Sequence, residues 1–446
     1  MPDSRRWSSH TLFLLASIGS TVGLSNIWKF TYLVGENGGG AFVLVYLASL
    51  FLLGIPVLTA EMLLGKMGGE SMVGSLIKLG RQEGFSARWQ YFGWISNLAV
   101  FLILSFYSVI AGLTIDYTVN MVAGNVSIES ATEGAAYYDS IIADPWRLIL
   151  FQAMFVLATT VIVARGVQKG LESSIRWMMP ALFVILIGLM IYAMVTASFK
   201  EALHFMFTTD FSKIDANILL VAFGQAFFSL GVGVGVMLTY GAYMPASSSV
   251  ARSATTIAFS DGLIAIIAGL AIFPIVFQYQ LPPTEGPGLI FMTLPIAFGQ
   301  MTGGTIIGSL FFVLLAFAAL SSSISLLESV IARLEEVSKW SRRRITYLAG
   351  GLLWLFGLLT VFSFNIWSDF KPLMDKTIFG LIDYFASNLV MPIGGILMAV
   401  IAGWFIHKER TQLSIGLTNH GLFRFWRLLV RWVAPVILGL IFLLNL

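Results

Sequence analysis

Two short stretches of this 446-residue chain combine residue types able to expose backbone to a ligand inside an apolar setting. Gly19-Ser20-Thr21-Val22-Gly23-Leu24-Ser25-Asn26 is dense in small and polar residues, and Phe228-Ser229-Leu230-Gly231-Val232-Gly233-Val234-Gly235 alternates glycine with apolar residues. Each glycine costs a helix up to about 1 kcal/mol relative to alanine. A helix broken there offers free carbonyls to a cation and a positive half-helix N-terminus to a carboxylate. Close helix packing is the plainer reading of either stretch alone. Asp261, in Ala258-Phe259-Ser260-Asp261-Gly262, adds a lone carboxylate to an apolar run, where an ionisable residue marks a functional site by default. Tyr107 brings a phenol to the middle of another run. This is the chemistry of binding. The chain has no cysteine, and His10, His204, His407 and His420 lie at or beyond the ends of apolar runs, so redox chemistry and a histidine metal cluster are not expected. No Gly-x-Ser-x-Gly, His-Glu-x-x-His or phosphate-cradling lysine loop is present, and no enzyme is expected.

The elements that position these residues are membrane spans. Hydrophobic residues make up 57% of the chain and charged residues 11%, against about 25% charged in soluble proteins. At about 20 apolar residues per crossing, the chain reads as about eleven spans, near 10–33, 40–66, 90–122, 147–165, 171–197, 217–242, 252–278, 304–336, 343–363, 374–405 and 424–444. The predicted fold is all-α, a single transmembrane domain over 1–446. The two interrupted stretches fall in spans one and six, which correspond in a five-plus-five repeat (10–197 and 217–405, with 424–444 added). Paired interruptions of that kind point to a transporter's central site. A break within a lipid-exposed helix would strand backbone groups, so these breaks must line a cavity or pack in protein.

Most of the 26 Lys and Arg fall in connections that are inside if the N-terminus is cytoplasmic, as the positive-inside rule favours. An odd span number then puts Leu446 outside. The first span reads as uncleaved, because glycine and polar residues interrupt it and no cleavage pattern follows. The net charge of +3 implies no nucleic acid; the basic connections suit anionic headgroups of a plasma (inner) membrane bilayer. Outer segment 123–146 reads as a solvated loop, and 279–302 as either a lid folded over an outer vestibule or a plain irregular loop. Oligomeric state leaves no trace.

The sequence resembles the neurotransmitter:sodium symporter family. The resemblance rests on Gly23-Leu24-Ser25-Asn26-Ile27-Trp28-Lys29-Phe30 and Glu36-Asn37-Gly38-Gly39-Gly40-Ala41-Phe42, on Phe106-Tyr107, on Gly224-Gln225-Ala226-Phe227-Phe228-Ser229-Leu230 and on Ala318-Ala319-Leu320-Ser321-Ser322-Ser323. It covers spans one to ten in order and implies an inverted repeat, alternating access and two sodium sites. One sodium is implied between spans one and eight, held by carbonyls of Gly19, Val22 and Ala318 and hydroxyls of Ser321 and Ser322; oxygen-only coordination suits a hard cation. Back-bonding of the serines onto the preceding turn is the alternative. The other sodium is implied between the Thr21 carbonyl and the side chains of Asn26, Ser229 and Asp261, joined by the substrate's carboxylate.

Many members of the family carry asparagine at position 261 and use chloride, so a fixed carboxylate implies chloride independence, and Ala265 offers no hydroxyl to an anion. The implied substrate is an amino acid, neutral or hydrophobic, because amine-transporting relatives have aspartate where this chain has Gly23. It would lie beside Thr21, Leu24 and Ser25 with the Tyr107 hydroxyl on its carboxylate. Ile103, Phe228, Gly231, Val234, Ser322 and Leu326 would line its side chain. Thr21, Ser25, Lys29 and Thr31 depart from the family's usual alanine, glycine, arginine and proline.

The implied gates are Phe228 and Tyr107 as a thin outer lid with Lys29 and Asp383 paired above it, and on the inner side Arg5 or Arg6 with Glu336 and Trp7 as a plug. The turn between Gly170 and Pro180 is implied to unwind and admit water to the inner sodium, a static kink being the alternative. Glu61 and Glu328 read as carboxylates that brace broken backbone. An ion channel and a substrate-sensing receptor that binds without transporting are the alternatives from other classes.

Overall fold

The computed structural model describes residues 6–86, 88–126, 128, 130–283 and 288–444; Arg5 and Leu446 lie outside them. Among the described residues, helices and turns account for the fold and the one β-bridge joins Leu373 to Lys376. Nine helices among the described residues are long and apolar enough to cross a membrane: Gly40–Gly68, Trp89–Val122, Pro145–Ala164, Val167–Thr196, Val250–Gln278, Gly304–Val337, Arg342–Phe364, Ile378–Phe405 and His420–Leu444. These are spans two to five and seven to eleven of the sequence reading. Local signals set several of their ends: Asp144 caps the fourth by accepting from the Trp146 and Arg147 N–H groups, with Pro145 in the first turn, where its missing donor is no loss.

Spans one and six are the discontinuous ones. Span one is His10–Thr21 followed by Ser25–Glu36, bent by 51°, with Val22 in an extended conformation. Span six is Ala216–Leu230 and Val236–Ala242, joined by residues 231–235, in which Gly231, Gly233 and Gly235 take φ of +60°, +94° and +86°. Side chains rarely tolerate that region, so the alternating glycines are the direct cause of the break. The freed backbone is satisfied within protein. The Glu61 carboxylate, fully buried, accepts from the N–H groups of Gly233 at 2.7 Å, Met237 at 3.1 Å and Leu238 at 3.3 Å. A carboxylate at a half-helix N-terminus is favoured by both the unpaired donors and the helix dipole. Glu328 does not do the same: its partners are the Tyr243 hydroxyl at 3.1 Å and the Arg342 guanidinium, which also reaches Glu335 and the Val163 carbonyl. It joins spans eight and nine instead of bracing backbone, because Arg342 supplies the opposite charge within reach.

Three boundaries differ from expectation. Span five begins at Val167, where a wide helical turn over Val167–Glu172 adds to the helix, and Pro180 sits inside the unbroken helix Ser173–Thr196, so the turn between Gly170 and Pro180 is wound here. Span ten begins only at Ile378, after Met374 and Asp375 with positive φ. Segment 123–146 is not a plain loop, because it carries the helix Ala131–Ile142, capped by Ser130. The outer segment 279–302 holds helical residues Leu289 to Gln300. Tyr117 donates to the Phe291 carbonyl at 2.6 Å, and the Phe291 ring meets Trp28 edge-on at 5.9 Å, so this segment is folded back onto spans one and three.

A side chain at position 233 tests the break. A Cβ there would lie 2.2 Å from the Met391 carbonyl oxygen, on a φ of +94°. Gly233→Ala is expected to cost about 2 kcal/mol or more from overpacking and strain, read as a lower thermal midpoint of the purified protein. An unchanged midpoint would contradict the rigid junction of spans six and ten.

Candidate substrate and ion site

The two breaks face one cavity of about 290 Å³. Its wall includes all ten residues that the sequence reading assigned to the substrate: Thr21, Leu24, Ser25, Ile103, Tyr107, Phe228, Gly231, Val234, Ser322 and Leu326. They come from spans one, three, six and eight, which only the fold brings together. At one end the hydroxyls of Tyr107 and Ser322 are buried and make no hydrogen bond of good geometry. Buried polar groups are rarely left so, and two donors aimed into a cavity fit a carboxylate. Gly23 keeps that end open, since a Cβ there would sit 2.5 Å from Ser322 Oγ and 3.4 Å from the Tyr107 hydroxyl. Most of the remaining wall is apolar, with Phe106, Trp28, Tyr32, Phe379 and Met391 added to the expected set, while Ser20, Ser229, Lys29 and Asp383 also reach it. Phe106 stands next to Tyr107 and was within reach of sequence reasoning; Phe379 and Met391, on span ten, had no signal.

Asp261 is fully buried beside the cavity. Asn26 Nδ2 donates to Ser229 Oγ at 3.0 Å and to Asp261 Oδ1 at 2.9 Å, and Ser229 donates to Asp261 Oδ2 at 2.6 Å. Tyr46, from span two, donates to the same oxygen at 3.1 Å. Tyr46 was missed, because a tyrosine in an apolar run carries no pattern of its own. Gln225 ties span six to the second half of span one by donating to the Ser25 carbonyl at 2.9 Å. The oxygens of Asp261 and Ser229 thus cluster without a cationic side chain among the bonded partners, a donor set suited to a hard cation, while Asn26 turns its amide nitrogen to them and its Oδ1 to the Gly23 N–H at 3.2 Å and the Ser25 hydroxyl at 3.0 Å.

At the other ion position, Ser321 donates to the Ala318 carbonyl at 3.0 Å, the back-bonded alternative of the sequence reading. Ser322 Oγ makes no hydrogen bond of good geometry and has the Tyr107 hydroxyl beside it. Gly19 brings span one against this turn, its notional Cβ 3.5 Å from Ser321 Cβ and 2.7 Å from Met179 Sδ. Val22, with φ −75° and ψ 96°, ends the helix there, leaving the carbonyls of the last turn without helical partners. Gly19, Val22, Ala318, Ser321 and Ser322 therefore share one oxygen-rich junction of spans one and eight.

The gate residues are arranged differently from one another. Lys29 lies with its Nζ 3.9 Å from the Phe228 ring centroid, a cation–π contact. Asp383 lines the same cavity but accepts from Ser387 at 2.8 Å, and no Lys29–Asp383 ion pair forms among the described residues. The expected pair is not closed here, because the lysine head is held over the aromatic ring. Near the start of the chain Trp7 is buried at 3% exposure, edge-on to Tyr240 at 5.3 Å. Ser8 fastens this segment to span five through its N–H and hydroxyl on Glu172, at 2.6 and 2.7 Å. Glu336 does not meet Arg6, which is exposed; it accepts from Arg333 at 3.1 Å and from Ser71, the cap of helix Met72–Glu83. Arg333, on the same helix, is the cation that Glu336 meets among the described residues, and Arg5 lies outside them.

Comparison with known proteins agrees with this geometry. The sequence matches the profile described as the sodium:neurotransmitter symporter family over residues 4–139 and 140–446. The sodium-dependent transporter YhdH of Bacillus subtilis (strain 168) is 36% identical over 98% of this chain and 97% of its own. A sodium-dependent transporter of Haemophilus influenzae is 32% identical over 99% and 98%. The crystal structure of MhsT in complex with L-phenylalanine superposes with a TM-score of 0.91 at 39% identity, covering 99% of this chain and all of that one. With this match across the whole length and the paired breaks around one cavity, the chain belongs to the sodium:neurotransmitter symporter family and is a multi-pass, sodium-dependent transporter.

Proposed function

We propose that this transporter imports a neutral or hydrophobic amino acid together with sodium, by alternating access and without chloride. The observation that carries the reading is the cavity itself, with two unpaired hydroxyls at one end and an apolar wall at the other. Tyr107 and Ser322 would take the carboxylate, the half-helix ends at residues 22–24 and 231–235 would hold the polar head, and Ile103, Phe228, Val234 and Leu326 would contact the side chain. The similarity to MhsT, whose crystal structure holds L-phenylalanine, supports an amino acid over an amine, as does Gly23.

Two sodium ions are proposed as co-substrates. Thr21, Asn26, Ser229 and Asp261 would hold one beside the substrate carboxylate; Gly19, Val22, Ala318, Ser321 and Ser322 would hold the other. Asp261 supplies a fixed negative charge where two of its hydrogen-bond donors, Tyr46 and Ser229, already converge, so an added anion has no role there. Two sodium ions moving with a zwitterion carry two charges, each worth about 2.3 kcal/mol per 100 mV. Membrane potential alone would then support roughly 4.6 kcal/mol, or about a thousandfold accumulation.

For orientation we propose a cytoplasmic N-terminus and an outside C-terminus in a plasma (inner) membrane, from the distribution of Lys and Arg. The five-span halves 10–197 and 217–405 would be the inverted repeats, with 424–444 appended. The unpaired Lys29 and Asp383 together with the Trp7 and Ser8 contacts on the inner side support an outward-facing state. Release inward would need Ser8 to leave Glu172 and the turn between Gly170 and Pro180 to unwind.

Uptake of a labelled amino-acid mixture into proteoliposomes under an inward sodium gradient tests the reading. Accumulation that needs sodium and is indifferent to chloride replacement is expected. Accumulation that requires chloride, or binding without accumulation, would contradict it. Tyr107→Phe should weaken apparent substrate affinity about tenfold or more, the worth of a hydrogen bond to a charged group, while leaving the fold intact; an unchanged affinity would remove Tyr107 from the carboxylate. Asp261→Asn should lower chloride-free uptake at least about tenfold by removing a charged ligand, and full chloride-free activity would sink the fixed-charge argument.

A further inference from the structure

At the inner end of spans ten and eleven lies a second cavity, of about 330 Å³, that the transport reading does not use. Its wall brings together Lys408, Arg424, Arg427 and Arg431 with Trp432. Two of these cations are half-buried with donors left over: Arg427 Nη1 and Arg431 Nε are shielded from solvent and have no hydrogen-bond partner. Arg431 is held in place by the Trp404 ring, 4.5 Å from its guanidinium carbon, and Trp404 donates its indole N–H to the Arg431 carbonyl at 3.1 Å. Gly403 lets the two helices approach, since a Cβ there would lie 2.8 Å from Arg431 Cγ. Arg427 has one long contact, 3.5 Å, from Nη2 to the Ile406 carbonyl. None of the four cations forms an ion pair among the described residues, whereas Arg410 close by is taken by Glu83.

Gathering four like charges costs energy unless an anion completes the set. Guanidinium forks match phosphate oxygens in geometry as well as charge. The rim beside the cations is apolar and open, with Phe425, Leu428 and Trp432 each more than half exposed, as suits an acyl chain and an interfacial tryptophan. We propose that this cavity binds the phosphate of an anionic phospholipid of the cytoplasmic leaflet, with Arg427 and Arg431 on the phosphate oxygens and the chains over Leu428 and Trp432. The leaflet rests on the orientation proposed above; the cation set and its apolar rim do not.

Native mass spectrometry of the full chain, released from nanodiscs of mixed phosphatidylglycerol and phosphatidylcholine, tests the site. Wild type is expected to retain phosphatidylglycerol in preference to phosphatidylcholine, and the Arg427→Gln/Arg431→Gln double variant to lose that retention by about tenfold or more. The Arg343→Gln/Arg344→Gln variant, which removes the same charge from the first turn of span nine, should retain lipid like wild type. Arg427→Lys/Arg431→Lys keeps the charge and should recover part of the retention if the site is electrostatic, with monodisperse elution confirming that each variant is folded. Equal loss in both glutamine variants, or equal retention of the two lipids by wild type, would overturn the site. Displacement of phosphatidylglycerol by millimolar inorganic phosphate would overturn the lipid assignment in favour of a soluble phosphate.

Discussion

The constraint on which the rest of the structure depends is that backbone freed inside a membrane must find partners within the protein. Buried side chains meet both breaks. Glu61 takes the Gly233 N–H within the break of span six and two N–H groups of the half-helix that follows, and Asn26 Oδ1 takes the Gly23 N–H within the break of span one at 3.2 Å. These bonds hold the loose ends as fixed dipoles around one cavity. Without them, the glycines that permit the breaks would leave the half-helices free to move.

Asp261 links this scaffold to the driving ion. It accepts from Asn26 of span one, Ser229 of span six and Tyr46 of span two, so one carboxylate gathers three elements around the point where a cation and a substrate carboxylate would meet. A charge at that position is costly in low dielectric unless paired. An arriving cation would relieve the cost, and under the proposed function this is why sodium and the substrate would bind together. On the same reading the fixed charge would leave no need for a mobile anion.

Much of this was legible in the residues. Glycine alternation from 231 to 235 identified the break in span six because positive φ leaves few other choices, and Gly19 to Asn26 did so for span one through its density of small polar residues. The ten substrate residues could be named because a resemblance tied them to one another, since nothing in their spacing places Ile103 beside Val234. What escaped notice was set by packing alone. Tyr46, Phe379 and Met391 are ordinary residues of apolar runs until the fold aims them inward. Two charged groups were misjudged for a related reason. Glu328 found Arg342 nearby instead of bracing backbone, and Lys29 settled over Phe228, choices that depend on distances of a few ångströms. The helix Ala131–Ile142 lay hidden in a polar segment whose pattern resembles a solvated loop.

Equilibrium binding of a labelled neutral amino acid to the purified protein, measured across sodium concentrations with potassium or lithium as replacement, tests the shared site most directly. If Asp261, Asn26 and Ser229 hold a sodium ion against the substrate carboxylate, affinity will climb steeply with sodium, collapse in the replacement salts and be the same in gluconate as in chloride. Amino-acid affinity that stays constant as sodium is withdrawn would contradict the account.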